Sequence, residues 1–305
     1  MRITFFGNSE LSVRVLKKLL GFNILVITSR EKPSGRGRTL KSNPVKTFCM
    51  QKKINFHHDD DWNSVSKVIT EFKPDFLIVA SYGRIIPKQV LNLIEIRRRL
   101  NIHPSLLPRW RGPAPIQWAI LSGDKITGVS ICLVDEKVDR GDIVFQKEEK
   151  ISDDDDFISL GRLFDMGADH LPEVMEKIMR GNASFVKQDE SKATWARLIK
   201  KEDGFFSFNE SAEEIHRKMR AFVVWPKIYT MIRSQRVLIH KTFISEGGGR
   251  PGDVLKIDDK GIHVVCGEGV IILSILQREG KNQLSGKDFA NGMRIKVGDN
   301  ILDYA

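Results

Sequence analysis

Asn101 and His103, separated by one residue and followed at once by Pro104, are the first side chains whose types and spacing suggest chemistry. Arg97-Arg-Arg-Leu100 leads into an extended segment that Pro104 should end, because proline cannot donate to a strand ladder. Alternation then puts the Asn101 amide and the His103 imidazole on one face, roughly 6–7 Å apart, with Ile102 on the other. An amide N–H can donate to a developing oxyanion, and an imidazole with an ordinary pKa of about 6.5 can exchange a proton near neutrality. A purely local reading also exists, in which Asn101 caps a turn and His103 is a hydrogen-bonded surface histidine. Beyond them Pro104, Pro108, Pro113 and Pro115 restrict φ and preshape the loop that runs to Gln117.

Two charged segments could complete such a site. Asp135-Glu-Lys-Val-Asp-Arg-Gly-Asp142 is a turn crowded with carboxylates, which either solvate the turn or assist proton transfer. Residues 30–46 form a long basic connection around Gly35-Arg36-Gly37, whose guanidinium groups suit phosphate contact or remain a solvated loop. The acidic run Asp153 to Asp156 reads as the N-terminal signal of the long helix that follows.

The elements that must position these groups follow from periodicity. Short apolar strands at 3–6, 24–28, 54–57 and 76–80 alternate with helical spacing at 11–20, 45–51 and 64–72, which predicts a doubly wound, Rossmann-like α/β domain. Its ligands should bind beyond the carboxyl ends of the strands, where Gly7-Asn8-Ser9, Ser81-Tyr82-Gly83 and His103-Pro104 would sit. A helix should begin at 116–121, with strands at 127–134 and 143–150. Residues 190–206 read as a linker between a domain at 1–189 and one at 207–305. A helix at 211–222 precedes five short strands at 227–233, 236–243, 252–257, 261–266 and 269–276, the pattern of a smaller OB-like β-barrel domain. Such barrels either bind nucleic acid or serve only as structure.

The 305 residues are 41% hydrophobic, enough apolar material for two cores, with a net charge of +10 that favours an anionic partner. Three cysteines far apart support neither a disulfide framework nor a CxxC metal site, and no apolar run nears the roughly 20 residues needed to span a bilayer. Met1-Arg-Ile-Thr-Phe-Phe-Gly7 leads straight into a strand pattern without a signal core, so a cytoplasmic chain that uses no membrane is expected. Gly7 stands alone without a dinucleotide fingerprint, so neither NAD nor a metal is expected.

These residues resemble the methionyl-tRNA formyltransferases, within the wider family that uses 10-formyltetrahydrofolate as formyl donor. The likeness rests on Asn101 with His103, Ser105-Leu-Leu-Pro-Arg-Trp-Arg-Gly112, Ala114-Pro-Ile-Gln117, and Asp139 in the turn ending at Asp142. Pro33-Ser-Gly-Arg-Gly-Arg38, Asn43-Pro-Val-Lys46, Lys200-Lys-Glu-Asp-Gly204, Arg220-Ala-Phe222, Trp225-Pro226 and Leu276-Gln277 extend it over essentially the whole chain. Gly7-Asn8-Ser9 stands where that family has Gly-Thr-Pro, and Lys137, Arg140 and Lys227 also depart from its pattern.

The resemblance implies an enzyme that formylates the α-amino group of initiator methionyl-tRNA for translation initiation, acting as a monomer. It implies Asn101 as oxyanion donor, His103 as proton acceptor and donor, and Asp139 as the group that orients the imidazole or relays protons. It further implies a folate site at Ser81, Tyr82, Gly83, Ile85, Ser105, Leu106, Leu107, Pro108, Val134, Asp135 and Asp142, with Arg109 and Arg111 as candidate anion contacts. Transfer RNA would meet Gly35, Arg36, Gly37, Arg38, Lys41, Lys46 and the basic barrel. Formylation of a sugar nucleotide would leave the basic segment and barrel without a substrate. An RNA-binding protein with a decayed α/β domain would not need all three catalytic side chains.

Overall fold

The computed structural model describes residues 1–34, 39–41 and 43–302, with the backbone alone at 32–34 and 39–41. The chain divides into two compact units. The first comprises Met1–Pro115, Lys125–Ile151 and Gly161–Arg197, and the second Ile116–Asp124, Ser152–Leu160 and the chain from Leu198. The division at Arg197 and Leu198 falls inside the stretch read as a linker.

In the first unit the elements follow as β1 (Arg2–Phe6), α1 (Glu10–Lys18), β2 (Asn23–Thr28), β3 (Lys32–Ser34), β4 (Thr39–Lys41), α2 (Pro44–Lys52) and β5 (Asn55–His58). Next come α3 (Trp62–Phe72), β6 (Phe76–Ala80), α4 (Lys88–Leu91) and β7 (Arg99–His103). Beyond α5 (Pro115–Leu121), which lies in the second unit from Ile116 on, the first unit continues with β8 (Ile126–Leu133), β9 (Ile143–Lys150) and α6 (Arg162–Met179). One seven-stranded sheet has the order β5-β2-β1-β6-β7-β8-β9, in which the first five strands are parallel and β8 pairs antiparallel with both β7 and β9. The order reverses direction between β1 and β6, the switch point where open α/β sheets bind ligands. Strands covered on both faces need unbroken apolar runs, which is why 24–28 and 76–80 stand out in the sequence.

Phe6, Leu25, Ile27 and Leu77 pack on one face with Val65 and Ile69 of α3 and Val90 and Leu91 of α4. Val79, which joins that cluster, is in register with Asn101 of β7, so Asn101 and His103 share its face. Ile102 points the other way, toward α6. A Cβ on Gly167 of α6 would lie 2.6 Å from Ile102 Cγ2, so only glycine lets the helix sit this close to β7.

Some connections differ from expectation. The basic segment carries a small β3–β4 hairpin, with Lys32 opposite Lys41 and Ser34 opposite Thr39. Asp153 to Asp156 do not start a helix: Asp155 accepts from Ser152 N, Asp156 accepts from Ile158 N and Ser159 N, and α6 begins only at Arg162. Short carboxylates capture nearby N–H groups and so close a turn instead.

The second unit carries α7 (Ala212–Ala221), β10 (Ile228–Ile232), β11 (Gln235–Ser245), β12 (Val254–Asp258), β13 (Gly261–Val265), β14 (Val270–Arg278), β15 (Gln283–Ser285) and α8 (Gly286–Met293). Ser211 caps α7 in a reciprocal box with Glu214. The antiparallel path is β10-β11-β14-β13-β12, with β15 added to β14. Among the described residues no ladder joins β10 to β12, so the five expected strands form an antiparallel sheet without barrel closure. The sequence reading overlooked β15, whose three exposed residues carry no apolar pattern, and α8, whose buried contribution is Phe289 and Ala290.

Candidate active site

Asn101 and His103 end β7, held in register by Cys132 and Ser130 of β8. Asp139 reaches them from the β8–β9 turn, 38 residues along the chain from Asn101. Asn101 Nδ2 donates to Asp139 Oδ1 at 3.1 Å, and His103 Nδ1 lies 3.6 Å from the same oxygen. Asp139 Oδ2 accepts the Gly112 N–H at 2.8 Å. Both members of the histidine–aspartate pair are nearly dehydrated, with side chains 5% and 11% exposed, so their electrostatic coupling is little screened.

His103 Nε2 lies 2.8 Å from the Trp110 carbonyl oxygen. A carbonyl only accepts, so Nε2 carries a hydrogen and Nδ1 is the ring nitrogen that faces Asp139. Cys132 lies below this pair, fully buried, and its thiol is pushed far up, first by burial and then by the Asp139 charge. It therefore stays neutral.

The loop after β7 is tied down by its own groups. Ser105 Oγ donates to the Arg109 carbonyl at 2.6 Å, and Ser130 Oγ donates to the Ser105 carbonyl at 2.6 Å while accepting the Leu107 N–H at 3.0 Å. Gln146 Nε2 adds a bond to the Leu107 carbonyl at 2.7 Å. Leu107 itself packs with Cys132 and Ile143. Residues 110–112 then run beside 194–196: Arg111 N donates to Thr194 O at 2.9 Å, and Ala196 N donates to Arg111 O at 2.7 Å. Gly112 has φ 111°, and a Cβ there would meet Ala196 O at 2.7 Å, so the residue that holds the Asp139 carboxylate must be glycine.

Of the residues the resemblance assigns to folate, Ser81, Tyr82, Gly83 and Ile85 follow β6. Ser81 accepts a hydrogen bond from Ser9 Oγ at 2.8 Å. Tyr82 is buried, and its hydroxyl donates inward to Asp59, which also accepts from Ser29 Oγ at 2.8 Å. Burial first and Asp59 second push that phenol far up, so it remains protonated. Gly83 opens on free space and the Ile85 side chain is exposed. Ser105, Leu106, Leu107 and Pro108 form the tied loop, with Ser105 and Leu107 buried. Val134 N donates to Arg99 O at 2.8 Å, Asp142 O accepts from Leu133 N at 2.9 Å, and Asp135 accepts from Glu136 N at 2.6 Å.

Gly35, Arg36, Gly37 and Arg38 lie outside the described residues, and Lys41 is described only as backbone in β4. Lys46 pairs with Glu31 at 2.7 Å, next to Asn43, which caps α2 and donates to Ser29 O. Asn8, a departure from the family pattern, is fully used: its amide joins Tyr82 O and Ser29 Oγ, and its Oδ1 accepts from Thr28 Oγ1 and Ser29 N. The three strand ends at the switch point are thereby knitted together.

Arg111 does not present a free guanidinium. It is fully buried, and its two terminal nitrogens each donate to Glu190 at 2.9 Å while Nε donates to Gln188 Oε1 at 2.9 Å. That hydrogen bond to Arg111 is the main reason the Glu190 carboxyl lies below its ordinary range. Arg109 stacks over Trp110 at 4.3 Å. Gln188 and Glu190 went unnoticed in the sequence, because a polar Lys187-Gln-Asp-Glu190 run has no periodicity or spacing that points to residues 111 and 139.

A family model described as formyl transferase matches residues 1–175, and one described as formyl transferase, C-terminal domain, matches residues 198–294. The chain is 36% identical over 309 residues to the methionyl-tRNA formyltransferase of Sulfurihydrogenibium sp., covering 98% of this chain and 99% of that one. It is 38% identical over 300 residues to the one of Marinobacter nauticus, covering 96% of each. Among solved structures, HypX from Aquifex aeolicus in complex with tetrahydrofolic acid shares the fold, with TM-score 0.68 and 20% identity over 97% of this chain; the chain spans 48% of HypX.

Proposed function

The chain belongs to the methionyl-tRNA formyltransferases, and on that premise we propose that it transfers the formyl group of 10-formyltetrahydrofolate to the α-amino group of initiator methionyl-tRNA at Asn101, His103 and Asp139. The observation that carries this reading is the convergence of the Asn101 amide and the His103 imidazole on Oδ1 of the Asp139 carboxylate.

Formyl transfer joins the amine nitrogen to the formyl carbon and turns the carbonyl oxygen transiently negative; collapse restores the carbonyl and breaks the bond from that carbon to the folate nitrogen, while one proton moves from the attacking nitrogen to the leaving one. Asn101 Nδ2 is the donor for that oxygen, a role whose removal costs on the order of 10²–10³ in rate in other acyl-transfer sites. It is held ready by Asp139. His103 takes the proton at Nδ1 and returns it, because Nε2 is committed to the Trp110 carbonyl. Asp139 Oδ1 faces that nitrogen at 3.6 Å and orients the ring.

The open backbone at Gly83 and the exposed Ile85 offer the apolar and main-chain surface a pterin ring would cover, with the 134–142 turn as the opposite wall. The tied 105–108 loop would shape the rest of that pocket. Arg36 and Arg38 would meet the acceptor end of the tRNA, with Gly35, Gly37, Lys41 and Lys46 beside them. The second unit, read as an OB-like module, would bind the tRNA exterior. The net charge of +10 supports both contacts. We read the protein as a cytoplasmic monomer.

Purified protein mixed with 10-formyltetrahydrofolate and charged initiator or elongator methionyl-tRNA should formylate the initiator alone. Formylation of neither, alongside activity on an amino sugar nucleotide, would replace this reading.

A further inference from the structure

We propose that Gln188 and Arg111 are positioning residues that set Asp139 for catalysis; the inference rests on the assignment of Asp139 above. Asp139 is a non-glycine residue with φ 52°, a left-handed conformation that its exposed turn does not enforce by itself. Gln188 reaches across from 49 positions along the chain and donates both amide hydrogens to that turn, to Asp139 O at 3.0 Å and to Gly141 O at 2.8 Å. The two carbonyls flank Arg140, so one side chain fixes the backbone on both sides of the turn's apex.

The orientation of that amide is not free. Arg111 has only donors, and its Nε meets Gln188 Oε1 at 2.9 Å, so the oxygen must face the guanidinium and the NH2 must face the carbonyls. Arg111 is in turn locked by its two bonds to Glu190 and by the backbone pairing of 110–112 with 194–196. The adjoining Gly112 N–H is the group that holds Asp139 Oδ2. The same short segment therefore grips the carboxylate from the front through Gly112 and its main chain from behind through Arg111 and Gln188. Misplacing a reacting group by about 1 Å can cost up to about 100-fold in rate.

The test is steady-state kinetics of the whole chain carrying Gln188→Ala, and Gln188→Glu as a same-sized variant that keeps the Arg111 contact but loses both donors. Each should lower kcat about 10- to 100-fold and leave KM for 10-formyltetrahydrofolate and methionyl-tRNA within about threefold. In an Asp139→Asn background the same changes should cost less than about twofold, because the group they position is already disabled. Equal losses in both backgrounds, a loss confined to KM, or wild-type kcat in Gln188→Glu would overturn the proposal. Should the wild-type chain formylate no acceptor, hydrogen exchange at the Gly112 amide decides independently: about tenfold faster exchange in Gln188→Glu supports the clamp, and unchanged exchange removes it.

Discussion

His103 turns Nδ1 toward Asp139 Oδ1 at 3.6 Å while its Nε2 lies 2.8 Å from the Trp110 carbonyl oxygen. The carbonyl settles which nitrogen carries a hydrogen, and Asp139 faces the other ring nitrogen. Asp139→Asn keeps the shape and removes the charge, and His103→Ala removes the base. Each should lower kcat by about 10²–10⁴-fold, the range for a general acid–base group, with folate affinity retained. Quench-flow formylation and equilibrium folate binding measure the two separately, and turnover near wild type in His103→Ala would end its assignment.

Arg111→Met exchanges a buried cation for an apolar chain of comparable length. Its main cost is Gln188 Oε1, left buried without its donor, so the first unit should lose about 1–3 kcal/mol of stability. Urea unfolding followed by a probe in the first unit reads this loss. An unchanged midpoint would show that Gln188 finds another partner.

Acid should weaken the second unit through His216. This imidazole accepts or donates at Thr242 Oγ1, 2.8 Å away, and burial first, then Arg220, push it down to about 4. The unfolded chain therefore binds the proton more readily than the folded one. The contribution is complete above about pH 6.5, where both forms are neutral, and is lost as pH falls toward 4. His216→Gln should flatten the pH dependence of second-unit unfolding across that window; an unchanged slope would place the acid sensitivity elsewhere.

Paired removal of Arg36 and Arg38 tests the basic segment. If both meet phosphates, replacing them by alanine should weaken tRNA binding and lower the slope of log K against log salt by about 2. Filter binding over a salt series gives both quantities, and an unaltered slope would move the tRNA contact elsewhere.

The α/β alternation, the β7 strand ending at Pro104 and the shared face of Asn101 and His103 were all legible in the sequence. Each depends on spacing within a few residues, and period-2 apolar alternation survives in the chain as written. Asp139 was found only because its turn resembles a known pattern; composition alone left it one carboxylate among several. Five strands at regular intervals do not say whether the first and last pair, and among the described residues they form a sheet without that closing ladder.

What only the tertiary structure decided is how the site is held. Gln188 and Glu190 look like polar connection until the chain returns them to Arg111, and Arg111 looks like an anion contact until it proves buried and paired. Local sequence encodes which groups are available, since residue type and strand parity are local properties. Which polar group satisfies which other one is settled by desolvation: once the 110–112 and 188–196 segments are buried together, every donor there must find an acceptor, and only the folded chain shows the match.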